Sequence, residues 1–226
     1  MIKNIHLLEQ VAGAVDPTAL RRAAAATRSA PADVRPARVA LCTALPGVLA
    51  DPRFGAVVLE WFVDAAHQAR YASWLAGQDA AAGQGPGAAL RAEGSHLVVA
   101  EEHPMRGLDW LEQRWRDGGP KLKHMAIARR AEGLTGSEFS DRWKNRAGSV
   151  GTTPIPDPAK GSAYVQNHPL SGDGLDWPFD AVNEVYFDDL DGLRARITWF
   201  AENFDGKGED DLVSESWFVA VREEIL

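Results

Sequence analysis

Cys42 is the only cysteine, so no disulfide can close within the chain and no thiolate metal cluster can be built. No apolar run approaches the roughly 20 residues that span a bilayer. The opening MIKNIHLLEQ has no basic stretch leading into a sustained apolar segment, so it does not read as a secretion signal. These absences predict a cytoplasmic protein without a membrane partner. Positive charge is also short: 24 Lys and Arg stand against 32 Asp and Glu, for a net charge of −8. With no basic stripe to offset that balance, a phosphate backbone would be repelled, and nucleic acid is excluded as an expected partner.

Several motifs of catalysis are missing too. The six histidines fall at 6, 67, 96, 103, 124 and 168, with no HxH or HExxH spacing, so no metal site is expected. GQGPG (83–87) follows a predicted helix rather than a strand, so it is not a phosphate-cradling loop. No Gly-x-Ser-x-Gly elbow occurs, and nothing marks an axial haem ligand. The expectation is therefore chemistry without a cofactor.

What the chain does have is enough apolar residue, 45% of 226, to bury one medium core or two small ones. Eight Trp supply large flat surfaces for a core or a pocket wall. The second half is the clearer to read. KLKHMAIAR (121–129) reads as a strand broken by Gly133. Thr135-Gly136-Ser137-Glu138 before Phe139 and Trp143 is a helix start, with a capping hydroxyl and apolar residues at helical spacing. The segment 148–162, rich in Pro and Gly, reads as a long loop. AYVQNH (163–168) and AVNEVYF (181–187) read as strands. Asp188 or Asp189 caps a helix with the stripe Leu190, Leu193, Ile197 and Phe200, and a last strand runs over 216–222. The order is β-α-β-β-α-β.

The same template fits the first half. Strands are predicted over 4–9, 39–44, 56–63 and 96–101, with helices from Pro17 to about Thr27 and from Asp64 through Leu75. KNIH (3–6) lies over LKH (122–124), VVLEWFVD (57–64) over AVNEVYFD (181–188), and VVAEEH (98–103) over AVREEI (220–225). These matches set His6 opposite His124 and Glu60 opposite Glu184, and they point to an internal duplication. If both glutamates face the space between two sheets, Arg129 or Arg222 is expected to neutralise them.

The predicted fold class is thus α+β, with two ferredoxin-like βαββαβ units fused in tandem as an intramolecular dimeric α/β barrel. The first unit covers 1–106 and the second 121–226. LDWLEQRWRDGG forms a connector helix within 107–120, with Leu108, Leu111 and Trp115 on one face. The expected state is a monomeric pseudo-dimer or a homodimer.

YVQNHP (164–169) and VNEVYFDDLDGL (182–193), set among LKHMAIAR, FSDRWKN and VAVREEIL, resemble the EthD family of dimeric α/β barrel domains over roughly 121–226. The resemblance implies a ferredoxin-like domain acting on or binding small hydrophobic or aromatic molecules, in degradative or polyketide pathways, with dehydratase- or cyclase-like members. LKHMAIA also resembles the opening strand of olivetolic acid cyclase, whose strand histidine lines the substrate cavity; the matching residue is His124. The family pattern W-x-x-x-H is not kept, because Ala147 stands where the histidine is expected; Arg146 is the neighbour able to fill that space.

Alternation along the strands puts His124, Ala126 and Ala128 on one face and Asn183, Val185 and Phe187 on one face. With the cyclase analogy, His124 and Asn183 point to the helix side. His124 is the candidate acid/base, Asn183 its amide partner and His168 a second acid/base. Trp143, Arg146, Tyr164, Asn167, Trp177 and Val185 are the candidate substrate contacts, with Arg146 meeting a carboxylate or enolate. The leading expectation is a cofactor-free lyase, cyclase or isomerase moving protons on an enolisable aromatic or polycyclic carbonyl compound. The alternatives are a cofactor-free monooxygenase and a non-catalytic small-molecule-binding module.

Overall fold

The computed structural model describes residues 1–10, 17–82, 90, 93–145, 149–150, 153–171, 176–203 and 212–226. Ten strands and six helices occur among them. They are β1 (Ile2–Glu9), α1 (Pro17–Thr27), β2 (Arg38–Ala44), β3 (Phe54–Phe62), α2 (Ala65–Ala82), β4 (Ser95–Arg106), α3 (Leu108–Asp117) and β5 (Lys121–Arg130). There follow α4 (Gly136–Lys144), β6 (Ser149–Val150), β7 (Thr153–Pro154), α5 (Asp157–Lys160), β8 (Ala163–Pro169), β9 (Ala181–Phe187), α6 (Leu190–Asn203) and β10 (Val213–Ile225).

Eight strands close into one antiparallel barrel in the order β1-β3-β2-β10-β5-β9-β8-β4. Within it the first four strands run β4-β1-β3-β2, and their later counterparts run β10-β5-β9-β8. The halves meet twice, through β4 on β8 and β10 on β2. Closure removes both open edges, which a four-stranded sheet alone would expose. The interior is apolar at mid-height, where Ile5, Leu59, Val98, Met125, Ile127, Val182 and Val221 are fully buried. At one end the interior holds charge instead.

Local signals explain most of the elements. Thr135 and Glu138 form a reciprocal capping box at the start of α4. Asp64 accepts from the His67 amide and opens α2, and Asp189 accepts from the Gly192 amide and opens α6. Gly118 and Gly119, both at positive φ, turn the chain from α3 into β5. Leu111 of α3 packs on Ala163, Val165 and Tyr186, and Trp115 stacks on Arg38, so α3 closes one end of the barrel. Leu108, expected on the packed face, is exposed.

Two sequence expectations need correction. The segment 148–162 is not all loop: it contains the β6–β7 hairpin and the short helix α5. Glu60 and Glu184 do not share a space either. His6 pairs with Val58 in the first half and His124 with Val185 in the second, so the match of Glu60 to Glu184 is three residues out of register. A slip by an odd number of residues turns a strand residue to the other face. Glu60 lies on the helix side, accepting from Tyr71 (2.7 Å), Asn4 (2.9 Å) and His6 (3.2 Å). Glu184 lies inside the barrel, 2.5 Å from both the Lys3 and Lys123 ammonium groups, so lysines rather than Arg129 or Arg222 neutralise it. No described helix is long and apolar enough to cross a membrane.

Candidate functional site

The ladders of β10, β5, β9 and β8 lay out the helix-side face as rows. Ala220, His124, Val185 and Tyr164 form one row; Phe218, Ala126, Asn183 and Gln166 form the next. At about 4.8 Å per strand, His124 and Tyr164 stand roughly 10 Å apart across Val185, a span that fits one small ring system. Helix α4 covers part of this face. Its Phe139 is buried against Ala128 and Ala181 and stacks on Trp143 with centroids 5.2 Å apart. The space beside Ala128 is therefore filled. Ala126, in mid-strand, stays partly exposed, so the helices do not seal the sheet over it.

Helix α6 supplies the residue that organises the site. Arg196 Nε donates to His124 Nδ1 (3.0 Å), and its Nη1 donates to the Ala159 carbonyl of α5 (2.9 Å). Its guanidinium lies over the Phe200 ring at 4.4 Å. Arg196 is 6% exposed and has no carboxylate partner among the described residues. Burial pulls its guanidinium down to about 10, which still leaves it charged at neutral pH. A buried, uncompensated cation is costly, and it invites an anion.

The proton positions follow from the donors. Because Arg196 can only donate, His124 Nδ1 must accept, and the neutral ring keeps its proton on Nε2. Burial, and then the charge of Arg196, hold the imidazole well below its ordinary titration range. The ring stacks on Phe218 (5.0 Å, 19°) and leans on Phe200 (5.5 Å). The indole of Trp143 is likewise donor-only, so Asn183 Oδ1 accepts from it (3.2 Å) and Asn183 Nδ2 donates to Tyr164 (3.0 Å). Gln166 Nε2 also donates to the Tyr164 oxygen (2.9 Å). Tyr164 thus receives two hydrogen bonds, and its own hydroxyl proton has no acceptor among the described residues. Burial raises that phenol further, so it stays protonated.

His168 continues the chain away from the opening. Its Nε2 faces Gln166 Oε1 at 3.0 Å and its Nδ1 faces the Ser140 hydroxyl at 3.1 Å. Burial, helped by the neighbouring His103, lowers His168 to about 4. Both ring nitrogens are occupied, so it offers no free base.

The structure brings His124, Asn183, Tyr164, Val185 and Trp143 together on this face, with His168 behind them. Asn167 is on the opposite face, inside the barrel, donating to Val182 O and Glu184 Oε1. Trp177 packs with Trp74, Leu97 and Leu170 on the first half's helix side, away from His124. Arg146 lies outside the described residues. Arg196 was the residue sequence reading missed. Its signal was present: a charged side chain three after Leu193 and four before Phe200, within the apolar stripe of α6. No three potential metal ligands cluster among the described residues.

No family model matches the chain, and no curated protein does. Among solved structures it is similar to a candidate monooxygenase from Lactobacillus acidophilus NCFM, at 10% identity and a TM-score of 0.47, over 98% of this chain and 92% of that one. It is also similar to a candidate monooxygenase from Fusobacterium nucleatum, at 12% identity and a TM-score of 0.47, over 99% and 93%. Likenesses of this degree leave the question of function to the site itself.

Proposed function

We propose that this protein is an enzyme of small hydrophobic, aromatic hydroxy or enolisable carbonyl compounds, and that its site holds the substrate as a phenolate or enolate. One observation carries the reading: Arg196 is buried, charged and without a carboxylate among the described residues, and it bonds His124 on the face where Ala126 is only partly covered. The donors on this face that could meet a ligand are His124 Nε2–H, the Tyr164 hydroxyl and the guanidinium. Phe200, Phe218, Trp143 and Val185 supply the apolar walls.

A donor-only site favours cofactor-free oxygenation over the proton-transfer reading. A cyclase or dehydratase needs a base with a free lone pair, and neither His124 nor His168 presents one. An electron-rich anion can instead react with dioxygen directly. A ring CH2 flanking the anion gives up two hydrogens, which leave as water with one oxygen atom, and the carbon keeps the other as a carbonyl. The substrate carbon supplies all four electrons that reduce the two oxygen atoms, so no external reductant is required. Binding energy spent on the anion stabilises the charge on which that reaction depends.

The architecture is read as two tandem ferredoxin-like βαββαβ units, 1–106 and 121–226, joined by the connector 107–120 and fused into a pseudo-dimer of EthD-type domains. The support is the repeated strand order in the two halves and the motifs YVQNHP and VNEVYFDDLDGL. An oxygen electrode with a panel of quinols and anthrone-like phenols tests the function. Turnover that consumes oxygen and is lost in Arg196→Met supports it. Conversion of an enolisable carbonyl compound without oxygen uptake would return the cyclase reading to the front.

A further inference from the structure

The end of the barrel that α3 closes contains a charge mismatch. Lys3, Lys121, Lys123 and Arg38 point inward there, and Glu102, Glu184 and Glu223 face them. Three carboxylates answer four cations. The exchange is tight for two of the lysines. Lys3 bridges Glu102 and Glu184, and Lys123 bridges Glu184 and Glu223. Asp188 at the rim is already paired with Arg114. Tyr186 is held protonated, because burial and the charge of Glu184 push its phenol well up, so it adds no negative charge. Burial likewise pushes the Cys42 thiol up to about 12.

The surplus cation is not spread evenly. Lys121 is 1% exposed, and its Nζ makes no hydrogen bond among the described residues; Glu223 Oε1 is 3.7 Å away. Arg38 Nη1 and Trp115 Nε1 are also buried without a partner, and the Arg38 guanidinium lies 3.7 Å from the centre of the Trp115 ring. Three unmatched donors from β2, α3 and β5 therefore meet under α3. Both Glu223 oxygens also lack a hydrogen bond there, but Glu223 is already counted among the three carboxylates, so the three donors and the one positive charge left over point to a missing acceptor. Burial lowers the Lys121 ammonium from its ordinary range, which agrees with a cation awaiting a counter-charge.

We infer that this end of the barrel binds a singly charged oxyanion, a carboxylate, between Lys121, Arg38 and Trp115. One negative charge balances the cluster, whereas a phosphate dianion overshoots it. This site lies inside the barrel, on the other face of the sheet from His124 and Arg196, and it stands whether or not the reading of that site holds.

The test is thermal unfolding of the full chain in sodium acetate against sodium chloride at equal ionic strength, with inorganic phosphate as a third arm. Acetate at about five times its dissociation constant is expected to raise the melting temperature by about 2–4 °C over chloride. Lys121→Met equalises the charges, so it should abolish the acetate effect while melting no lower than the parent chain in chloride. Trp115→Phe removes only the indole donor and should weaken acetate several-fold with the fold intact, which keeps the test open if Lys121→Met fails to fold. An equal acetate effect in the parent and both variants, no acetate effect in the parent, or a larger effect from phosphate than from acetate would each overturn the inference.

Discussion

Arg196 Nε donates to His124 Nδ1 over 3.0 Å, and that bond decides which nitrogen of the imidazole keeps its proton. A strand histidine in an apolar cavity reads as an acid/base from sequence. With its Nδ1 lone pair committed to a guanidinium, it becomes a neutral donor instead. Replacing Arg196 by Met should release Nδ1 and bring the His124 titration up toward its ordinary range. A pH titration of the His124 ring by NMR in both proteins checks this; an unchanged His124 would mean that burial alone sets its state.

The same depression ties stability to acidity. His124 is neutral in the fold but binds a proton once unfolded, near the ordinary imidazole value of about 6.5. Its contribution is therefore complete above that value and is lost as pH falls through it toward the depressed native one. The slope is about 1.4 kcal/mol per pH unit for a single fully buried group. His168, lowered to about 4, acts in the same direction between 6.5 and 4. Urea unfolding from pH 7.5 to 5 should show falling stability, and His124→Phe should flatten that fall.

Inside the barrel, Glu184 is expected to be indispensable to folding. Glu184→Gln leaves Lys3 and Lys123 facing each other without their shared carboxylate, a loss of about 3–5 kcal/mol. Lys123→Met on top of it should recover part of that loss, because the second change removes one stranded cation. A double-mutant cycle by urea unfolding measures the coupling, and strictly additive losses would contradict it.

Gly161 links backbone geometry to the site. It sits at φ +71°, and an added Cβ would come within 2.5 Å of the Tyr186 carbonyl. Gly161→Ala should displace α5, whose Ala159 carbonyl holds Arg196. The expected outcome is a stability loss of about 1–3 kcal/mol together with weaker ligand binding. Binding equal to that of the parent chain would show that α5 does not position Arg196.

Much of this was legible in the sequence, and the failures have physical causes. The strands, the Thr135–Glu138 capping box and the Asp64 and Asp189 caps are local, so residue type and spacing were enough to place them. Alternation grouped the residues of each strand by face, and the resemblance to the cyclase strand put His124 and Asn183 on the helix side. Glu60 and Glu184 were matched by letter similarity, which does not detect an odd shift of register, and the parity of the shift decides the face. Asn167 alternates with Gln166 and His168 along β8, so the period of two already turned it away from Tyr164, whereas nothing local records which neighbour Trp177 meets. Arg196 was overlooked because a helix stripe is usually read for its apolar members, and here a charged member of the stripe reaches His124.

The most direct measurement is the ionisation of 4-nitrophenol bound to the protein, followed by absorbance against pH in the parent chain and in Arg196→Met. The account predicts that the bound probe ionises at lower pH than the free probe, and that the shift is lost or much reduced without Arg196. A probe that binds as the neutral phenol, or ionises at the same pH in both proteins, would contradict an anion-stabilising site.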